Sequence, residues 1–89
     1  MKALAALCLL AAPAAAQPIC MPHAQMIAGL ENRYHEAQQG AGLGASGLLV
    51  EIYAAPGGSW SLIATDAHGR ACMIGAGEGW HAVKVGEPA

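Results

Sequence analysis

Positive charge is scarce in this chain of 89 residues, which has four Lys and Arg against six Asp and Glu and a net charge of −2. Nucleic-acid binding needs clustered cations that neutralise phosphates, and binding to an anionic membrane surface has the same requirement. The cations are instead scattered, at Lys2, Arg33, Arg70 and Lys84. We therefore expect neither nucleic acid nor a membrane surface as a partner.

Phe is absent, aromatic residues make up 4% of the chain, and long apolar runs are missing. The apolar run at 3–12 is too short for the about 20 residues that span a bilayer. It follows a lysine and precedes Ala14 and Ala16, the small residues that a signal peptidase requires. This pattern predicts a cleaved signal peptide over 1–16. We expect a single exported domain over 17–89, and the short leader and Ala/Gly-rich composition favour a bacterial periplasm.

Cysteine is also rare, and of three cysteines only Cys20 and Cys72 follow the leader. Two cysteines in a small exported domain predict a disulfide. A domain of this size has a marginal core, and a bridge closing 52 residues would stabilise it by roughly 4 kcal/mol on the chain-entropy model. A reactive thiol or a metal-binding pair is the alternative.

Hydrophobic periodicity predicts one amphipathic helix followed by strands. Apolar residues recur at three- and four-residue steps after Pro22, and alternating segments separated by short turns follow a glycine-rich connector. The prediction is an α+β domain with one helix on a three-stranded antiparallel meander, in the order α-β-β-β. The helix is expected at about 22–39, the connector at 40–47, and the strands at about 48–55, 60–65 and 70–76.

Alternation within the first strand assigns its two faces. If Leu48, Val50 and Ile52 face the helix, Leu49 and Tyr53 lie on the opposite face, and Ile63 of the next strand joins them. This predicts an apolar interaction surface of Leu49, Tyr53 and Ile63. The alternative is that the tail around Trp80 covers it.

The connector contains Gly42-x-Gly44-x-x-Gly47, the letter pattern of a dinucleotide-binding loop. Such a loop follows a strand and opens a helix whose N-terminus holds the pyrophosphate. Here a helix precedes the glycines and a strand follows them, so we interpret the segment as a flexible linker.

Soft metal ligands lie close together between Cys20 and Met26. Met21, His23 and Met26 are residue types that suit copper(I), and the last two share a helix face. The alternative is that Met26 fills the core and that Met21 and His23 are ordinary helix-start residues. They are candidates for an alternative function, and no resident metal or cofactor is expected.

Catalytic arrangements are not apparent. His35, His68 and His81 have no orienting partner at a familiar spacing, and the serines lack a nucleophile motif. We therefore expect no enzyme.

Most of the sequence after the leader resembles a group of small exported bacterial proteins of unknown function. They share an early cysteine, a helix with a Tyr, a Gly-Leu-Gly connector and strands with V-E-I/V-Y/F, W-x-I/L-x-x-T and G-x-x-C patterns. The matching positions are Cys20, Tyr34, Gly42, Leu43, Gly44, Val50, Glu51, Ile52, Tyr53, Trp60, Thr65, Gly69 and Cys72. The resemblance implies export but no activity.

The functional prediction is thus a non-enzymatic, disulfide-linked interaction module that contacts an unknown protein partner or its own copy. A periplasmic copper-type binder that uses the segment from Cys20 to Met26 is the alternative.

Overall fold

The computed structural model describes residues 18–83, which form one helix on one face of a five-stranded antiparallel sheet. The strand order is β1-β5-β4-β3-β2. The predicted signal peptide at 1–16 and residues 84–89 lie outside the described residues. The elements are β1 (Cys20–Pro22), α1 (His23–Tyr34), β2 (Ala37–Leu43), β3 (Leu49–Ala54), β4 (Trp60–Thr65) and β5 (Arg70–Gly77).

The predicted α-β-β-β order is wrong because the sheet has five strands rather than three. Strands β3, β4 and β5 match the predicted meander closely, but β1 and β2 were not predicted. Only three residues make up β1, too few for a pattern, and it pairs with β5. Ala and Gly, which favour strands little, make up four of the seven residues of β2, and its pairing along β3 overrides that preference.

The helix ends at Tyr34, five residues before the predicted end. His35 adopts a left-handed conformation with φ 57° and ψ 33°, which a non-glycine residue rarely adopts. The His35 N–H donates to the Glu31 carbonyl and the Glu36 N–H to the Leu30 carbonyl, both at 3.1 Å. This cap turns the chain sharply, so that residues predicted to continue the helix enter β2.

Tight turns join the last four strands, and each contains a glycine with positive φ, at Gly47, Gly58 and Gly69. In the β4–β5 turn, Asp66 Oδ1 accepts hydrogen bonds from the backbone N–H groups of His68 and Arg70. The predicted connector at 40–47 is therefore strand β2 followed by a hairpin turn.

The core lies between α1 and the sheet. Its buried members are Met26, Leu30, Tyr53, Ile63 and Ala71. Helix residues three and four apart share a face, which explains why Met26 and Leu30 are buried together. We call the sheet face that α1 covers the inner face and the opposite one the outer face.

The predicted assignment of sheet faces is inverted. Tyr53 and Ile63 belong to the inner face, and alternation places Val50 and Ile52 on the outer face. Because side chains alternate with a period of two, a wrong choice of face reverses every residue of the strand. Glu51 shares the inner face with Tyr53, and its carboxylate is buried there.

Candidate functional site

A buried carboxylate lies at the centre of the inner face. Glu51 is 3% exposed, and three side chains from different parts of the fold contact it. His23 Nε2 donates to Oε1 at 2.7 Å, and Gln38 Nε2 and the Tyr53 hydroxyl donate to Oε2 at 2.8 Å. We call these four residues the Glu51 cluster. A buried carboxylate is tolerable because its hydrogen bonds replace those it loses to water.

The hydrogen bonds also determine the charge state of the cluster. Burial alone raises the pKa of the Glu51 carboxyl, but the hydrogen bonds from Tyr53 and His23 outweigh it, and the pKa lies below its ordinary value. Burial raises the pKa of the Tyr53 hydroxyl, and its hydrogen bond to Glu51 raises that pKa further. The cluster therefore pairs an ionised carboxylate with a phenol that stays a donor.

The chemistry open to the Glu51 cluster is limited by its position. A carboxylate that orients an imidazole is the arrangement of a general base, but a base also needs a substrate site within reach. Among residues 18–83, the depression beside β2 and the hollows between Tyr34 and Ser59 are lined by neither His23 nor Glu51. The cluster instead joins the first residue of α1 to the middle of β3 and, through Gln38, to β2.

The outer face has an uneven surface. Trp60 and the half-buried aliphatic side chains of Val50, Ile52 and Leu62 occupy it, while glycines replace side chains on the flanking strands. On the β5 side, a Cβ at Gly77 would lie 2.9 Å from the Trp60 indole, so the ring rests against the β5 backbone. On the β2 side, Gly40 and Gly42 leave a depression of about 370 Å³ beside Val50 and Ile52.

Strand β2 forms one edge of the sheet. All seven of its residues are exposed, and none is charged. Within residues 18–83, β2 pairs only with β3. Natural edge strands are commonly protected by lysine, proline or shortness, and β2 has none of these. A bulge between Gln38 and Gly40 interrupts its register once.

The predicted disulfide is confirmed. Cys20 and Cys72 are bonded and lie opposite each other in the β1–β5 ladder. The bond ties β1, the strand before α1, to β5, the last strand of the described residues. The structure therefore has the small disulfide-linked domain that the sequence predicts.

The predicted interaction surface of Leu49, Tyr53 and Ile63 is not a surface. Tyr53 is 5% exposed and Ile63 is fully buried, both beneath α1, and Leu49 is half-buried on the same face. The alternative, coverage by the tail around Trp80, is not what buries them: α1 covers Tyr53 and Ile63, and the Trp80 backbone N–H donates to the Gly58 carbonyl at 2.9 Å.

The three candidate metal ligands do not point to one place. Met26 is buried in the core, Met21 packs against the core, and His23 binds Glu51. Across residues 18–83, no three His, Cys, Asp or Glu side chains are grouped closely enough to hold a metal ion. The glycines of the Gly42-x-Gly44-x-x-Gly47 pattern lie in β2 and its hairpin, not before a helix.

Sequence reasoning missed two features: the Glu51 cluster and the β2 edge. A lone carboxylate in the apolar segment LLVEIYAA was a signal for the first, because such a residue is buried only with partners. For the second, no signal in the segment AQQGAGL distinguishes a strand from a linker.

No helix of the described residues is long and apolar enough to cross a membrane. Comparison of the chain with protein-family models, curated proteins and solved structures finds no match.

Proposed function

We propose that this chain is an exported, non-enzymatic module that binds a partner polypeptide by strand addition at β2. The observation that carries the proposal is the β2 edge, seven exposed and uncharged residues with a strand on one side only among residues 18–83. In strand addition, main-chain hydrogen bonds supply affinity, and pockets for alternate side chains supply specificity.

The depression on the outer face supports this mode of binding. It lies directly beside β2, between Gly40 and Gly42 on the edge and Val50 and Ile52 on β3. A strand added to β2 would direct every second side chain toward the outer face. We infer a partner segment that is extended and carries an aliphatic or aromatic side chain for this depression.

The disulfide supports export. Such bonds persist in oxidising compartments and are rare in the cytosol, and Cys20 and Cys72 are bonded here. We propose the periplasm as the location. The intact mass of the protein from its exported fraction tests this, with a chain from Gln17 to Ala89 and two hydrogens fewer as the expected result.

Binding at β2 is tested by selection of peptides from a random library against the oxidised protein, followed by amide chemical-shift mapping. We expect the selected peptides to perturb residues 37–43 together with Val50 and Ile52. Gly42→Leu fills the depression, where an added Cβ meets no atom within 4 Å, and should weaken binding roughly tenfold.

The matched control is Ala28→Leu, which adds the same bulk at an exposed position of α1 and should leave peptide binding unchanged. Peptides that perturb other residues, or that bind Gly42→Leu equally well, would refute the β2 site. A dimer in native mass spectrometry that Gly42→Leu dissociates would identify the partner as a second copy.

The copper-type alternative stays a prediction. Titration with copper(I), monitored by the methyl resonances of Met21 and Met26, tests it.

A further inference from the structure

A cleft separates the end of α1 from the β3–β4 turn and the end of β5. It consists of two adjoining hollows, of about 390 and 520 Å³, both lined by Tyr34, Ser59 and Glu78. Glu36 and Trp60 line the first hollow as well. We call it the Glu36 cleft. It is separate from the β2 edge and from the Glu51 cluster.

Glu36 is a buried carboxylate with an incomplete set of partners. It is 3% exposed, and its Oε2 accepts a hydrogen bond from the Ser59 hydroxyl at 2.9 Å. Within residues 18–83, its buried Oε1 has no hydrogen-bond partner. Glu51, equally buried, has three donors, so the two carboxylates differ in what they require. A buried acceptor of this kind favours an additional donor.

The charge around the cleft is negative. The exposed carboxylate of Glu78 borders both hollows, and neither Arg33 nor Arg70 lines them. Among the described residues, the only salt bridge is the one between His23 and Glu51. Among hydrogen-bond donors, a cation is the kind that two neighbouring carboxylates favour most.

Aromatic and apolar side chains complete the cleft. The ring of Tyr34 is 53% exposed, whereas the Trp60 indole rests against the β5 backbone on the outer face. Aromatic faces attract ammonium and guanidinium groups. Ile19 and Met73 line the same hollow and offer an apolar surface to an alkyl stem.

From this arrangement we propose that the Glu36 cleft binds an organic cation, a primary ammonium or guanidinium group on an alkyl stem. The head group donates to Glu36 Oε1, and the stem lies along the apolar wall. A free alkylamine and a Lys or Arg side chain of another polypeptide present the same chemistry, and the proposal covers both.

The test is amide chemical-shift titration of the oxidised protein with butylamine and butylguanidine, and with the peptides Gly-Gly-Lys-Gly-Gly and Gly-Gly-Arg-Gly-Gly. Shifts are expected at 34–36, 57–61 and 76–78. All three peptides carry an acetylated N-terminus and an amidated C-terminus. Butanol and the blocked Gly-Gly-Met-Gly-Gly are therefore uncharged counterparts, and they should produce no shifts. Binding by the free cations indicates a small-molecule ligand, and binding by the basic peptides alone indicates a polypeptide.

Glu36→Gln keeps the shape and an acceptor for Ser59 but removes the charge, and should weaken binding about tenfold. Glu31→Gln makes the same charge change at an exposed position of α1 and should leave binding within about twofold. Should Glu36→Gln fail to fold, the exposed Glu78→Gln provides the test, with binding weakened about threefold.

Three results would overturn the proposal: equal binding of the uncharged counterparts, equal binding by both glutamine variants and the parent, or shifts confined to other residues. A fourth is binding that emerges only in Lys84→Met, because the chain's own lysine would then be the cation.

Discussion

His23 Nε2 and Glu51 Oε1 are 2.7 Å apart and hydrogen-bonded, which links the first residue of the helix to the middle of the sheet. The pair is separated by 28 residues in sequence. The same carboxylate receives Gln38 and Tyr53, so one buried charge positions α1, β2 and β3 together. The first two predictions concern this link.

Replacement of Tyr53 by Phe should destabilise the fold by roughly 1–2 kcal/mol, because it removes a buried donor from Glu51 and leaves that charge less solvated. Urea unfolding monitored by circular dichroism measures the change. Tyr34→Phe removes the same hydroxyl from an exposed ring and should stay within about 0.5 kcal/mol of the parent. Equal effects of the two variants would contradict the role of the Tyr53 hydroxyl.

Acid should weaken the fold through Glu51. Since the pKa of Glu51 lies below its ordinary value of 4.5, its ionised form contributes stability above pH 4.5, and that contribution is lost as pH falls through the lowered pKa. The melting temperature of Glu51→Gln should therefore fall less steeply between pH 6 and pH 3 than that of the parent.

Asp66 also has a lowered pKa, because it accepts a backbone hydrogen bond from Arg70. Its ionised form therefore also contributes stability that is lost as the pH falls. Both proteins should therefore carry Asp66→Asn when their pH profiles are compared. Parallel profiles in that background would show that Glu51 contributes nothing to acid stability.

Loss of the disulfide should cost roughly 4 kcal/mol, because the bond closes 52 residues. Chemical denaturation of the oxidised protein and of Cys20→Ala/Cys72→Ala measures this difference. The double variant should resemble the parent protein after reduction. A variant as stable as the oxidised parent would mean that the noncovalent core is sufficient.

Two glycine-to-alanine changes should act in opposite directions. At Gly77 an added Cβ would lie 2.9 Å from the Trp60 indole, so Gly77→Ala should displace the ring and cost about 1–3 kcal/mol. At Gly29 the added Cβ meets nothing within 4 Å, so Gly29→Ala should stabilise α1 by about 0.5–1 kcal/mol. Urea unfolding measures both, and a shift of tryptophan emission should accompany Gly77→Ala alone.

The local parts of the fold could be predicted from sequence. The strands around Ile52, Ile63 and Met73 alternate and are bounded by glycine turns, and the disulfide followed from the number of cysteines. The strands β1 and β2 could not be predicted in this way, because their pairing with β5 and β3 is a tertiary interaction that their own residues do not favour.

The Glu51 cluster was even harder to predict from local sequence patterns than β1 and β2. A period of two cannot distinguish the faces of a strand when both carry apolar residues, and a lone glutamate ordinarily lies on the exposed face. Its burial depends on His23, Gln38 and Tyr53, and two of these approach it only after the chain has folded. Glu36 was assigned to the helix for a similar reason, since the left-handed His35 breaks a pattern that its neighbours continue.

The strand order has a consequence for the path of folding. Strands β2 to β5 each pair with their sequence neighbour, so these hairpins form by closing short loops, which is fast. Pairing of β1 with β5 closes a loop of about fifty residues and carries a larger entropic cost. Cys20 and Cys72 are partners in that ladder, so we expect their thiols to meet in this step. Oxidation should thus lock a sheet that is already assembled, and the rate of disulfide formation should report how often the N-terminal strand docks.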